Sequence, residues 1–328
     1  MSVEDQVQQF RKKFQRIKVE VQKRIIGQDS VVEDILICLF ANGHALIEGV
    51  PGLGKTRMIQ TLSEVLDLSF KRIQFTPDMM PADITGTTIL VEDQQGRKRF
   101  EFQSGPIFSQ VILADEINRA TPRTQSALLE AMQERTVSIA RTTHKLGAPF
   151  CVFATQNPIE MDGTYPLPEA QLDRFLFKLK IEFPDRTDLI QIMQQTTSDH
   201  QTEIESVCEA DSILQMQRLI RGVPVADHVA EYASLIVTAT HADQPNASEM
   251  AKNYVELGAS VRGLQALVLT AKIKALLDGR YNVAIEDIRT VTLPALRHRL
   301  LINFEGQSEQ ISNDEIIKDI LATQEIKS

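Results

Sequence analysis

The run Gly49-Val50-Pro51-Gly52-Leu53-Gly54-Lys55-Thr56 decides how the rest of the chain is read. Its pattern, G-x-x-x-x-G-K-T, is that of a glycine-rich loop that cradles phosphate groups. The flanks agree with it. Ala45-Leu46-Ile47-Glu48 is a short apolar run of the kind that forms a buried strand, and residues 57–66 set apolar side chains at helical spacing. A turn from strand to helix points several backbone N–H groups inward, and the helix N-terminus adds partial positive charge. Together they bind phosphate oxygens. In such a loop Lys55 reaches the β- and γ-phosphates of a nucleotide, and the Thr56 hydroxyl ligates Mg²⁺.

A second landmark is Val111-Ile112-Leu113-Ala114-Asp115-Glu116. An apolar strand ending in two acids places them at its carboxyl end, where open parallel sheets bind ligands. Asp115 is expected in the Mg²⁺ shell, through water, and Glu116 is expected to orient and polarise an attacking water. The interval from Lys55 leaves room for one helix, one strand and a hairpin. Further on, residues 150–158 read as another buried strand with a polar tip. Asn157 there has two readings, a hydrogen bond to the γ-phosphate or lytic water, or an ordinary turn asparagine before proline. Residues 167–175 read as a helix with Arg174 near its end. That arginine is either a surface salt-bridge partner or a finger that neutralises charge on a transferring phosphoryl group. Upstream, Ile25-Ile26-Gly27-Gln28-Asp29 leads into a helix over 31–42. Gly27 lets the backbone approach something closely: the adenine ring, with Ile26 as its neighbour, or merely a tight turn.

The remaining segments set the organisation. In residues 1–25, Val7, Phe10, Phe14, Ile17, Val21 and Ile25 recur at helical spacing, which marks an amphipathic helix that either packs on the core or reaches a partner. Residues 87–92 and 98–103 flank a turn-rich stretch and read as a hairpin, either solvated or reaching a partner or substrate. From Pro184 onward the pattern turns helical, with segments near 186–198, 211–220, 225–242, 260–278 and 284–300. The expected division is therefore an α/β domain over 1–184, a helical domain over 185–305, and a polar tail over 306–328 with one amphipathic stretch (Ile316, Ile317, Ile320 and Leu321). Residues 243–253 read as a polar loop.

Composition limits the function classes. The chain has 328 residues, a net charge of −9 and no tryptophan, so its surface as a whole repels a nucleic-acid backbone and offers few stacking platforms. Cys38, Cys151 and Cys208 are widely spaced and read as reduced packing residues. No charged-then-apolar leader opens the chain and no apolar run approaches a membrane span, so a cytoplasmic location is expected. The six histidines lack metal-ligand spacing, and no Ser/His/Asp or Cys/His nucleophile pattern emerges.

Taken together, these stretches resemble the P-loop AAA+ ATPases, and within them the MoxR family. The blocks that carry the likeness are GVPGLGKT (49–56), LADEINRATPRTQSALLEAMQE (113–134) and ATQNPIEMDGTYPLPEAQLDRF (154–175). LGAS followed by Arg262, DGR (278–280) and LRHRL (296–300) extend it into the helical region. The resemblance implies an αβα sandwich around a parallel sheet, then a helical lid, and assembly as a ring, commonly a hexamer. It implies ATP and Mg²⁺ as ligands, Asn157 as sensor 1, Arg174 as the arginine finger and Arg262 as sensor 2. Residues 76–103 correspond to the family's helix-2 insert. It also implies a chaperone-like role on other proteins, often with a von Willebrand factor A domain partner. One departure stands out: where the family commonly has Ser-Pro-Arg-Ala, this chain has Ser260-Val261-Arg262-Gly263. Two rival readings remain. Arg97, Lys98 and Arg99 keep a nucleic-acid motor in view, and a nucleotide-dependent scaffold without turnover is opposed by Glu116.

Overall fold

Helices α1 (Val3–Gln22) and α2 (Asp29–Phe40) precede strand β1 (Ala45–Glu48). Helix α3 (Lys55–Val65), β2 (Phe70–Gln74) and the short α4 (Pro81–Thr85) follow, then the hairpin β3 (Gly86–Glu92) and β4 (Lys98–Ser104). Strand β5 (Val111–Asp115), α5 (Pro122–Glu134), a second hairpin of β6 (Thr136–Ile139) and β7 (Thr142–Lys145), β8 (Cys151–Gln156), α6 (Glu169–Leu172) and β9 (Phe177–Lys180) complete the first part. The computed structural model describes residues 2–92, 96, 98–140, 142–158, 163–198 and 202–324. Most of the first hairpin's turn, Arg97 included, and residues 159–162 of the third family block lie outside the described residues.

Five strands form one parallel sheet in the order β2-β5-β8-β1-β9. The strands split their side chains between two faces with period two. Leu46, Ile73, Ile112, Ala114, Val152 and Ala154 pack on one face with α5. On the other face, Ile47, Val111, Leu113, Phe153, Phe177 and Leu179 meet α1, α2 and α3. Both faces are covered, which is why β5 reads as an unbroken apolar run and is buried at all five positions. This is the expected αβα sandwich.

The amphipathic N-terminal helix packs on that core. Ser2 and Asp5 form a reciprocal cap at its start. Its stripe of Val7, Phe10, Phe14, Ile17 and Val21 is buried, and Phe10 and Phe14 form a ring cluster with Phe40 of α2. Burying each such ring contributes about 1.5–3 kcal/mol, so α1 is part of the fold and not a loose arm.

The second part is helical: α7 (Arg186–Thr197), α8 (Ala210–Gly222), α9 (Asp227–Thr238), α10 (Glu249–Tyr254), α11 (Val261–Leu277), α12 (Ile285–Leu296), α13 (Phe304–Ser308) and α14 (Asn313–Thr323). One small antiparallel pair, β10 (Val255–Leu257) and β11 (Leu301–Ile302), sits among them. The lid core is continuous with the α1–α2 face of the sheet, through residues such as Ile220, Leu267, Ile273 and Val291.

Several elements differ from the sequence reading. The stretch 243–253 contains α10, capped by Ser248, whose hydroxyl accepts from the Ala251 N–H. The stretch 306–328 carries α14, with a Ser312–Glu315 capping box and Ile316, Ile317 and Ile320 fully buried. The amphipathic stretch read within this tail is thus a helix that docks on α10 and α12. Residues 167–175 form only one helical turn, since Pro168 starts it and Asp173 and Arg174 belong to the turn into β9. The β6–β7 hairpin has only weak strand patterning in the sequence. All three cysteines are free and buried. Among the described residues, no helix is long and apolar enough to cross a membrane.

Candidate functional site

Strand β1 lies between β8 and β9, so the loop leaving its carboxyl end sits where the strand order reverses. Gly52 and Gly54 take φ values of +87° and +76°. Space is open where a Cβ would stand at either one, so the need for glycine there is conformational. Lys55 and Thr56 open α3. The Lys55 ammonium folds back across the loop and donates to the Gly49 and Val50 carbonyls. Burial lowers its pKa, and the Asp115 and Glu116 charges oppose that shift.

Asp115 ends β5 two strands away and is buried. Its Oδ1 accepts from Thr155 Oγ1 at 2.5 Å. Its Oδ2 accepts from Arg72 on β2, from Nε at 3.0 Å and Nη2 at 2.6 Å. The Glu116 N–H donates to the same Thr155 hydroxyl at 2.9 Å, so one threonine on β8 fixes both acids. Glu116 takes φ +56°, a left-handed conformation unusual for a glutamate and of the kind that collects at functional sites. Its carboxylate accepts from Gln74 Nε2 at 2.8 Å and from Arg119 Nη1 at 2.9 Å. Asn157 is buried just beyond β8, one residue after the Gln156 carbonyl that accepts from the Gly49 N–H.

Ile26 and Leu53 line a cavity of about 250 Å³ beside the loop, closed by Met58, Phe183, Leu189 and Ile192. Its walls are mostly apolar, as a base pocket requires. Gly27 takes φ +73°, and a Cβ there would stand 2.2 Å from Asp188 Oδ2. The close approach read from the sequence is therefore to a carboxylate on the first turn of α7.

Arg174 and Arg262 are not brought to this place. Leu176, just ahead of β9, donates to the His44 carbonyl, and Phe177 pairs with Ala45 at the start of β1. Residues 173–174 therefore precede the amino end of β9, away from the loop that follows Glu48. Arg174 is half-buried, and its Nε has no hydrogen-bond partner among the described residues. Arg262 Nη1 lies 3.5 Å from Asp173 Oδ2, directly beside Arg174 in the chain. Sequence reasoning missed Arg72, Gln74, Thr155 and Asp173. Only the pairing of β2 with β5, which sets Gln74 opposite Asp115, and of β5 with β8 brings the first three to the acids.

Comparison with known proteins establishes the family. Residues 44–177 match the model of the ATPase family associated with various cellular activities, AAA, and residues 247–320 match that of the AAA lid domain. The chain is 40% identical to Chaperone MoxR1 of Mycobacterium tuberculosis, over 94% of this chain and 81% of that protein. The chain belongs to the MoxR family of AAA+ ATPases. It is also 32% identical to Protein MoxR of Methylorubrum extorquens, over 94% of this chain and 93% of that one. A crystal structure from Cytophaga hutchinsonii, of a protein described as a candidate ATPase, superposes with a TM-score of 0.91 at 38% identity, covering 99% of this chain and 98% of that one. As a MoxR-family member the chain is a nucleotide-binding protein of an ATPase family.

Proposed function

We propose that this chain hydrolyses Mg²⁺-ATP at sites shared between neighbouring copies of itself, and uses the cycle to remodel or mature other proteins. The observation that carries the reading is the separation of the two halves of the chemistry. The loop 49–56, Asp115, Glu116 and Asn157 gather at the carboxyl ends of β1, β5 and β8, whereas Arg174 lies ahead of β9 and Arg262 reaches Asp173, the chain neighbour of Arg174. A guanidinium placed there serves a phosphate held by the next copy, which is the logic of an arginine finger supplied in trans.

In this reading Ile26 and Gly27 border the base, while the backbone from Gly49 to Gly54 and Lys55 grip the phosphates. Asn157 holds the γ-phosphate, and Glu116 orients and polarises the attacking water. Thr56 and Asp115 offer hydroxyl and carboxylate oxygens, the hard donor set that Mg²⁺ takes, and they would hold it. The bound ion would draw charge from the phosphate oxygens. Arg174 and Arg262 of the neighbour neutralise charge as the phosphoryl group transfers. The core is taken to end near residue 184, and movement of the lid that follows converts turnover into work. Ring assembly, a hexamer by the family pattern, a von Willebrand factor A domain partner and a cytoplasmic setting complete the proposal. The chaperone role is supported by the name of the Mycobacterium tuberculosis relative.

The test is the ATPase rate per protomer across a wide concentration range, with Glu116→Gln as the blank. A rate that climbs and saturates is expected. Mixed rings of Arg174→Ala with Glu116→Gln should recover activity that neither variant has alone, and failure despite proven co-assembly would refute the shared site. Stimulation by DNA would favour a nucleic-acid motor instead.

A further inference from the structure

The Asp173 carboxylate gathers three side chains of the lid. Ser260 Oγ donates to it, 3.0 and 2.8 Å from its two oxygens, Arg299 Nε donates at 2.9 Å, and Arg262 Nη1 stands at 3.5 Å. The Ser260 hydroxyl also accepts from the Arg262 N–H at 3.1 Å, so a single oxygen caps α11 and lays its first turn over Asp173.

Arg299 anchors the arrangement. Its side chain is 2% exposed, and its terminal nitrogens donate to the Asp173, Phe175 and Leu176 carbonyls. Burial pulls its pKa down to about 10 and the Asp173 charge opposes that, so the guanidinium stays charged at neutral pH. Arg262 is 47% exposed and only loosely paired. The firm link from Asp173 to α11 is therefore the Ser260 hydroxyl, which seats the backbone of Arg262, while the loose pair leaves the guanidinium able to turn to a phosphate. The departure at sensor 2 fits the same packing. A Cβ at Gly263 would lie 3.1 Å from Leu296 Cδ2 and 3.2 Å from Arg299 Cδ, so glycine lets α11 settle against Arg299.

Asp173 is thus held rigidly by the lid on one side and is bonded through the backbone to Arg174 on the other. We propose that Asp173 is a positioning residue that fixes Arg262 beside Arg174, so that the two guanidiniums are presented as one unit to the nucleotide of the neighbouring copy. Two arginines of the lid, Arg262 and Arg299, meet the Asp173 carboxylate, which offsets a repulsion that would otherwise spread them. The inference rests on the shared-site reading.

The experiment uses the full-length protein with Asp173→Asn. Turnover at saturating ATP should fall about 10²-fold, the scale of a misplacement of roughly 1 Å in a catalytic group. Affinity for a fluorescent N-methylanthraniloyl ATP should be unchanged, because each copy's own loop is remote from the cluster. Mixing with Glu116→Gln copies, whose arginines are intact, should restore turnover. In an Arg262→Ala background Asp173→Asn should cost little more. Unchanged turnover, a parallel loss of nucleotide affinity, failure to complement, or losses that simply multiply would each overturn the inference. If Arg174→Ala keeps full turnover, the shared-site reading itself has failed; if Arg174→Ala is slow and Asp173→Asn is not, only the positioning role has. Should Asp173→Asn lose its fold by circular dichroism, Ser260→Ala takes its place. It keeps the Arg299 pair, and undiminished turnover there would overturn the proposal equally.

Discussion

Arg72 on β2 donates twice to Asp115 at the end of β5, so the carboxylate assigned to the Mg²⁺ shell already carries a counter-ion of its own. The Arg72 side chain is 47% exposed, and pairs of that kind contribute about 0.2–1 kcal/mol. If Asp115 takes Mg²⁺ as proposed, the ion displaces Arg72 at small cost, and Arg72→Ala should shift the Mg²⁺ concentration for half-maximal ATPase downward by no more than about fivefold. Mg²⁺ titration at fixed ATP reads this directly. An upward shift would mean that Arg72 aligns Asp115 and does not compete for it.

The Glu116 carboxylate is held by Gln74 and Arg119, and its N–H by the Thr155 hydroxyl. Glu116→Gln preserves the shape and removes the charge proposed to polarise water. ATP binding measured by calorimetry should persist while turnover falls by about 10²-fold or more. Equal loss of both would place Glu116 in binding.

Gly27 stands against Asp188 with φ +73°. Gly27→Ala forces a left-handed alanine, costing about 1–2 kcal/mol, and pushes α7 away from the base pocket. We expect a lower melting temperature and weaker ATP binding. Adding Asp188→Ala should restore the part due to the clash and leave the backbone strain.

His44 is enclosed beneath β8. Its Nδ1 accepts from the Val152 N–H at 2.9 Å, so Nε2 carries the proton toward the Met132 carbonyl at 3.1 Å. Burial lowers its pKa to about 3, and the Arg135 charge adds to the effect. An unfolded chain takes up a proton near pH 6.5 that the folded chain refuses. The contribution is therefore complete above about pH 6.5 and lost as pH falls from there toward 3. Urea unfolding at pH 7.5 and pH 5 should differ by up to about 2 kcal/mol from this residue, and buried His298, also shifted well down, adds in the same direction. His44→Gln should flatten the dependence; an unchanged slope would clear His44 of the effect.

Local sequence determined the features whose physics is local. The strand, glycine turn and helix around Lys55 are contiguous, and a nucleotide loop needs nothing from elsewhere to be read. Val111 to Glu116 carries its own burial and its own acids, and the stripe from Val7 to Val21 declares an amphipathic helix. Tertiary structure alone decided which groups those residues face. Arg72, Gln74 and Thr155 lie 43, 42 and 40 positions from the acids they touch, and parallel-sheet register, which no local pattern encodes, brings them there. The turn between α6 and β9 put Arg174 away from its own loop, and the lid put Ser260, Arg262 and Arg299 on Asp173 across at least 87 positions. The apolar stripe of α14 is legible in the polar segment as Ile316, Ile317, Ile320 and Leu321, but it joins the core only because α10 and α12 offer a face to cover it.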